Sequence, residues 1–503
     1  MNLPHRIGSA LLAACALLPL PLRAQCPDGT PPPCGRTARA APATTSVAVL
    51  YFENLSRDTT DAYLVDGLTE ELTSRLGAVT RLRVTGRSVV RHAQRTAGGD
   101  VVAVGRVLNV RYVVEGSLRR SGPRVRVSAR LLRASDGVRV WGDDYDRTMD
   151  DLLALQEDIA REVAGNVAGQ LLPGEQRALA RRPTTSAEAY DHYLHAKYLV
   201  TRRTEAAITQ AAAELDQALR LDPGFAAAEA RRAQTFELAF AYGIPLATPE
   251  SLAARAQRSA DRAVQLDPGA SDTWMAVGLV RFWFPPVDLD ASRAALERAA
   301  AIDPRNADAF HNLGVVLMTV PDLPAASAAL TRALALEPGR GVSLLDLAQV
   351  EYSARRFDAA RRYVDSALAL EPQQARIYML RALLRLRSGE TAGARSDAEA
   401  GVRLSTAALH SFALAALIIV KLAQGDSVAA RGHMAAMDLS AMPMALVLAA
   451  FGQTEPALDV LERGPLLAID RSWLWWPEFD SLRASPRFAR AVEAWAPRGA
   501  RRP

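Results

Sequence analysis

Lysine is nearly missing from this chain: Lys197 and Lys421 are the only two. Neither follows a glycine, which excludes a Walker A loop, and neither sits in the strand setting a kinase core needs. Cysteine is also scarce, with Cys15, Cys26 and Cys34 only, so the body of the chain carries no thiol and no disulfide. There is no H-E-x-x-H, no G-x-S-x-G, no C-x-x-C and no G-x-G-x-x-G. No catalytic residue, cofactor or metal ligand set is therefore assigned, and the chain reads as one that binds rather than turns over. The formal net charge of +5 does not point to nucleic acid. Its basic residues are almost all arginines in an alanine-rich chain, a skew expected of GC-rich coding.

Hydrophobic residues make up 49% of the chain, enough to bury cores along its whole length. The first apolar run, "IGSALLAACALLPLPL", follows the basic "MNLPHR" and ends at Leu22-Arg23-Ala24. It is too short and too proline-broken to span a bilayer, and residues 1–24 read as a cleaved export signal. That places the mature chain in the periplasm or outside the cell, with no membrane span. Lipid attachment at Cys26 is the competing reading, disfavoured by Gln25 and Arg23 before it. Residues 25–45 read as a linker in which "CPDGTPPPC" offers a Cys26–Cys34 disulfide; two free thiols are the alternative.

Residues 46–173 mix strand and helix signals. "SVAVLYF" is a short apolar run suited to a strand buried on both faces. Leu64, Leu68, Leu72 and Leu76 form one stripe of a helix over 61–77. "LRVTG" reads as a strand, "YVVEGSLRR" and "VRVSARLLR" as a hairpin, and "VRVW" as a further strand. A helix over about 150–172 carries Leu152, Leu155, Ile159, Val163, Val167 and Leu171 on one face, with Pro173-Gly174 expected to end it. "VAVLYFENLS", "DAYLVDGLTEELTSRL", "VRYVVEGSLRR" and "GVRVWGDDYDRTMDDLLALQEDIAREVA" together resemble the TolB-like N-terminal domain, across most of 46–172. The resemblance implies a small α/β domain with a mixed sheet, found in envelope or signalling proteins ahead of tetratricopeptide arrays. It brings no catalytic residues. Tyr51 stands where family members commonly have proline.

After a linker at 174–185 the strand signals vanish. "ALALEP" occurs at 333–338 and again at 367–372, and Pro304, Pro338 and Pro372 are evenly spaced by the same interval. A 34-residue helix–turn–helix period is the tetratricopeptide signature, and 186–425 reads as an all-α solenoid of such units. Phe310, Leu313 and Gly314 fall in a first helix; Ala326, Leu330 and Ala333 fall in the second. The next unit offers Leu344, Leu347, Ala348, Ala360, Val364 and Ala367. Residues 426–503 read as degenerate repeats and closing helices that cap the last face.

In such a stack the first helices line a concave groove. Counting from Trp274, Phe310, Leu344 and Tyr378, the groove positions are Met275, His311, Leu345 and Met379, with Leu279, Val315, Gln349 and Leu383 one turn on. The set is mostly apolar and suits an amphipathic helix or apolar peptide. A groove filled by the chain's own linker or C-terminal segment is the alternative. Three other stretches are weighed and set aside. His192 and His195 beside Asp191 read as helix-packing residues rather than metal ligands. "DDYD" at 143–146 reads as a solvated turn, and the arginine-rich hairpin 111–139 as a wet sheet face. "FALAALIIV" at 412–420 falls in repeat register and reads as core. The leading functional reading is an exported, non-enzymatic adaptor that binds a protein or peptide through its repeats, with no nucleic acid partner. The alternative is a sensory module whose α/β domain binds a small ligand and signals through the repeats. Oligomeric state and partner identity are not encoded in any pattern found.

Overall fold

The structure is a computed structural model of the chain. It describes residues 45–494 apart from 57, 59, 60, 321, 436, 438–440 and 464–467. The leader 1–24, nearly all of the linker 25–45 and the Cys26–Cys34 pair lie outside the described residues.

The molecule is mostly helical, with one small mixed sheet near its N-terminal side. The strands are β1 (Ser46–Val49), β2 (Glu53–Asn54), β3 (Arg83–Val84), β4 (Tyr112–Ser121), β5 (Arg124–Arg133) and β6 (Arg139–Thr148), in the order β3-β1-β4-β5-β6 with β2 beside β4. Pairings of β1 with β3 and β4 are parallel, and those of β5 with β4 and β6 are antiparallel. All four β1 residues are buried, as a continuous apolar run requires of a central strand. On β5 the buried Val125, Val127, Ala129 and Leu131 alternate with residues open to water.

Helix α1 (Ala62–Gly77) lays the Leu64, Leu68, Leu72 and Leu76 stripe on the sheet, each no more than 1% exposed. Two helices in this region carry no expectation from the sequence: α2 (Arg87–Thr96) and α3 (Val101–Leu108). Asp100 caps α3 by accepting from the Val102 amide, and Asn109 ends it at φ 52°. Helix α4 (Leu152–Ala168) stops earlier than expected, at Gly169 with φ 74°. Pro173 does not end it. It opens the next helix, α5 (Pro173–Ala180), because proline's preset φ and missing N–H suit a first turn. The expected linker at 174–185 thus holds a helix, tied down by a 2.7 Å ion pair between Arg81 and Glu175.

Helix pairs then follow one another: α6 (Ala187–Val200) with α7 (Glu205–Leu221), α8 (Ala226–Ala241) with α9 (Pro249–Leu266), and α10 (Ser271–Trp283) with α11 (Leu289–Ile302). Next come α12 (Ala307–Thr319) with α13 (Leu323–Leu336), α14 (Gly341–Ser353) with α15 (Phe357–Leu370), and α16 (Ala375–Arg387) with α17 (Thr391–Leu404). The stack continues through α18 (Ala407–Ala423), α19 (Ser427–Ala435), α20 (Ala441–Ala450) and α21 (Thr454–Arg463). The closing segment makes 3-10 turns at Ala468–Trp475 and Pro477–Leu482, then α22 (Pro486–Ala494).

Successive units keep the two helices of a pair in contact by trading volume across one position. A Cβ built on Gly278 would stand 2.6 Å from Leu296, and one on Gly314 would stand 2.6 Å from Leu330. In the next unit the same register brings Ala348 and Val364 into one core, and in the one after it Ala382 and Ala398. Where the second helix offers leucine the first must be glycine; as the facing residue shrinks, a methyl is admitted. Ala326, Ala360 and Ala394 are wholly buried at matching places in the second helices.

Candidate functional site

The first helices α10, α12, α14 and α16 do carry the eight groove positions. Met275, Leu279, Leu345, Gln349, Met379 and Leu383 are buried, and His311 and Val315 are half-buried. The closing segment shares cores with several of them. Ala468 and Ile469 join the core of α10 and α12 that holds Met275, Leu279 and Val315. Trp473, Leu474, Trp476, Phe479 and Leu482 share a core with Leu345, Met379 and Leu383. A peptide that used these positions would have to displace residues 468–482.

Aromatic and charged contacts hold that segment in place. Trp476 stacks on Trp473 at 4.3 Å and meets Tyr352 edge-on at 5.2 Å. The Tyr352 hydroxyl donates to Glu478 at 2.6 Å, and Arg387 donates to both the Tyr352 oxygen at 2.9 Å and Glu478 at 2.6 Å. Burial, and then the charge of Glu478, push the Tyr352 phenol well above its ordinary range, so it stays a donor at any working pH. The segment was expected to cap the last face. Instead, part of it runs back as far as α10, because its alanine and tryptophans find a first-helix surface already apolar.

Closer to the sheet the first helices are covered differently. Tyr63 of α1 donates to Asp191 of α6 at 2.7 Å and tilts against the His195 ring at 4.7 Å. The α13 end abuts the turn before α2, where a Cβ on Gly86 would lie 3.1 Å from the Leu336 carbonyl oxygen. Between these contacts, charged side chains of the two parts meet in ion pairs. From α1, Glu70 is bridged by Lys197 at 2.9 Å and by Arg87 at 2.6 Å. Burial would raise the Glu70 carboxyl, but those two cations bring it down to about 2. Arg91 reaches Asp66 at 3.4 Å. From the repeats, Arg340 pairs with Asp308 and, at 3.2 Å, with Glu337. Arg340 thereby holds the Asp308 carboxyl well below the usual range, although 56% of that side chain is open to water.

Two charged groups on nearby first helices differ from the rest. Arg231 of α8 makes no side-chain hydrogen bond or ion pair among the described residues, and its Nε is buried without a partner. Asp272 of α10 has only an amide, Asn306 Nδ2 at 3.2 Å, and burial raises its carboxyl. Each lies within the other's field, yet outside ion-pair distance. His311 has Nδ1 3.0 Å from Ser343 Oγ; burial, then Arg340, lower it to about 4, so it is neutral at pH 7.

The remaining sequence candidates have plain structural employment. His192 and His195 both turn Nδ1 to Glu214 of α7, at 2.6 and 3.0 Å, joining the helices of one pair. "DDYD" lies within strand β6 rather than in a turn, with Tyr145 buried and Asp146 paired to Arg124 and Arg126 at 2.9 and 3.1 Å. That pairing neutralises part of the arginine-rich hairpin face. "FALAALIIV" lies in α18, mostly in the core. Among the described residues no helix is long and apolar enough to cross a membrane.

Sequence reasoning passed over Glu70, Lys197, Arg231 and Asp272, since no motif spacing joins them. The scarcity of lysine is the one signal that singled out a member of the set.

Comparison with known proteins adds the following. The chain is 31% identical over 247 residues to putative adenylate cyclase 3 of Rhizobium meliloti (strain 1021), matching 49% of this chain and 42% of that protein. Among solved structures, PilF of Pseudomonas aeruginosa aligns over 45% of this chain and 96% of its own, at 22% identity and a TM-score of 0.35. The type IV pilus biogenesis factor PilW aligns over 47% and 98%, at 17% identity and a TM-score of 0.36. Residues 321–384, which run from α13 into α16, match the tetratricopeptide repeat model, and the helix pairs on either side continue a solenoid of the same kind.

Proposed function

We propose that this chain is a non-catalytic scaffold of the cell envelope, exported by its leader, that holds a protein or peptide partner on its repeats. The observation behind this reading is the array itself. Helix pairs stacked over nearly three hundred residues spend that sequence on extended surface rather than on an enclosed site. The α/β sheet, with its TolB-like sequence, is read as a domain docked on the first repeats.

Cross-linking in the intact envelope, followed by mass spectrometry, tests the reading. A defined partner captured by the full chain and lost when Ala360→Arg disrupts the array is the expected result. Capture unchanged by that substitution, or absent altogether, overturns it. A sensory role, with a small ligand bound by the α/β domain and relayed by the repeats, is favoured by one observation: Glu70 of the α/β domain is ion-paired to Lys197 of the first repeat, so the two parts are coupled directly.

A further inference from the structure

We propose that residues 468–482 stand where the partner of the repeats binds, and that this partner is a peptide of the same chemistry: paired aromatic residues followed closely by a carboxylate. The inference deepens the scaffold reading and rests on it for the existence of a partner.

The repeats grip this segment as a linear peptide is gripped. Its 3-10 turns, Ala468–Trp475 and Pro477–Leu482, have poorer internal hydrogen bonds than an α-helix, so side chains of the repeats set its position. Trp473 lies against Phe412 of α18 with ring centres 4.4 Å apart, and Trp476 meets Tyr352 of α14 at 5.2 Å. Tyr352 and Arg387 of α16 both donate to Glu478 Oε1, each at 2.6 Å. The main chain is engaged as well, for the Trp475 carbonyl oxygen accepts from Arg355 at 2.9 Å. Two rings, a carbonyl and a carboxylate between Trp473 and Glu478 are thus held by α14, α16, α18 and the turn after α14. With Arg355 and Arg387 on the host side, an acidic peptide is favoured over a basic one.

That grip is incomplete. Nε1 of Trp475 and Nε1 of Trp476 are buried with no acceptor, and Glu478 Oε2 is buried with no donor. Arg471 is buried too, its guanidinium has no hydrogen bond or ion pair among the described residues, and burial alone lowers it to about 10. Each of these groups has given up water without full return. Tethering still holds the segment in place against weak competitors, because it supplies an effective concentration on the order of 1 mM. The consequence is selectivity: a peptide takes the place of the segment only by satisfying groups that the segment leaves bare.

Fluorescence polarisation of a labelled peptide of residues 470–483 against the full chain tests this. Trp476→Ala in the chain loosens the resident segment while keeping the host side chains, and should bind the peptide at least about tenfold more tightly than wild type. Should Trp476→Ala fail to fold, Glu478→Gln in the chain loosens the segment more gently, and the same order is expected. Peptides carrying Trp473→Ala or Glu478→Gln should bind the loosened chain more weakly, and adding Arg387→Gln to that chain should weaken binding too. No binding to either loosened chain when folded, binding equal to that of wild type, or indifference to the peptide substitutions overturns the inference. In envelope cross-linking, a partner captured more by Trp476→Ala than by wild type supports it. A partner captured equally by both overturns it and leaves the scaffold reading standing. Peptide binding of the expected order with no partner captured upholds the occupancy and removes the scaffold reading.

Discussion

One scaffold covers its inner face in two chemistries. Toward the sheet, the first helices meet the α/β domain through paired charges that water reaches. From α12 to α18 they meet residues 468–482 through tryptophans and a buried tyrosine. The helix pairs beneath are built to the same plan, so the difference arises from the few first-helix positions that vary: Lys197, Arg231, Asp272 and Asp308 on one side, Leu345, Met379 and Leu383 on the other. Repetition settles the backbone and leaves those faces free to specialise.

The comparison can be broken most heavily on the aromatic side. Trp476→Ala removes a ring that is 2% exposed and packed on two others, and should cost about 4 kcal/mol. A dye that binds apolar surface should then report an opened first-helix face; an unaltered melting curve would mean that the segment does not cover it. Ala360→Arg strikes the shared plan instead. A wholly buried alanine gives way to a long charged chain, and a loss of about 3 kcal/mol or more is expected in thermal melting.

Glu70→Gln tests the charged side. It removes the anion between Lys197 and Arg87 and should cost about 2 kcal/mol. Added salt should shrink this loss, whereas the Trp476→Ala loss should not respond to salt. A salt-insensitive Glu70 effect would erase the distinction between the two covers.

A smaller effect, of opposite sign, comes from Glu237 in α8, 6% exposed and raised by burial to about 8. Its folded-state pKa lies above the unfolded value, so its contribution is intact below about pH 4.5 and fades as pH rises toward 8. Glu237→Gln does not titrate. It should therefore leave stability unchanged near pH 4 and raise it by about 1–2 kcal/mol near pH 8, as read by denaturant midpoints at both pH values.

The repeats were legible because their signal is local and recurs: the spacing of Pro304, Pro338 and Pro372, and glycine or alanine set against leucine or valine. The strands and the α1 stripe were legible for the same reason. Helix α3 was not, because "VVAVGRVL" has the β-branched look of a strand, and only Asp100 and Asn109 mark its ends. Pro173 misled because the same residue that bars a helix interior favours a helix start. The charged contact was invisible from the sequence alone. Lys197 meets Glu70 only after the sheet has docked on the array, and no local pattern encodes that.

The Tyr352–Glu478 hydrogen bond joins residues 126 apart in sequence, and Tyr63–Asp191 joins residues 128 apart. A plain stack of repeats folds by neighbours and can begin anywhere. Here the first repeats wait for nothing beyond the sheet made before them, while α12 to α16 must wait on the ribosome for another hundred residues or so before their apolar face is closed. During that interval Leu345, Met379 and Leu383 are bare. The repeats that meet the closing segment are thus the ones whose apolar side chains wait longest for their partners while the chain is being made.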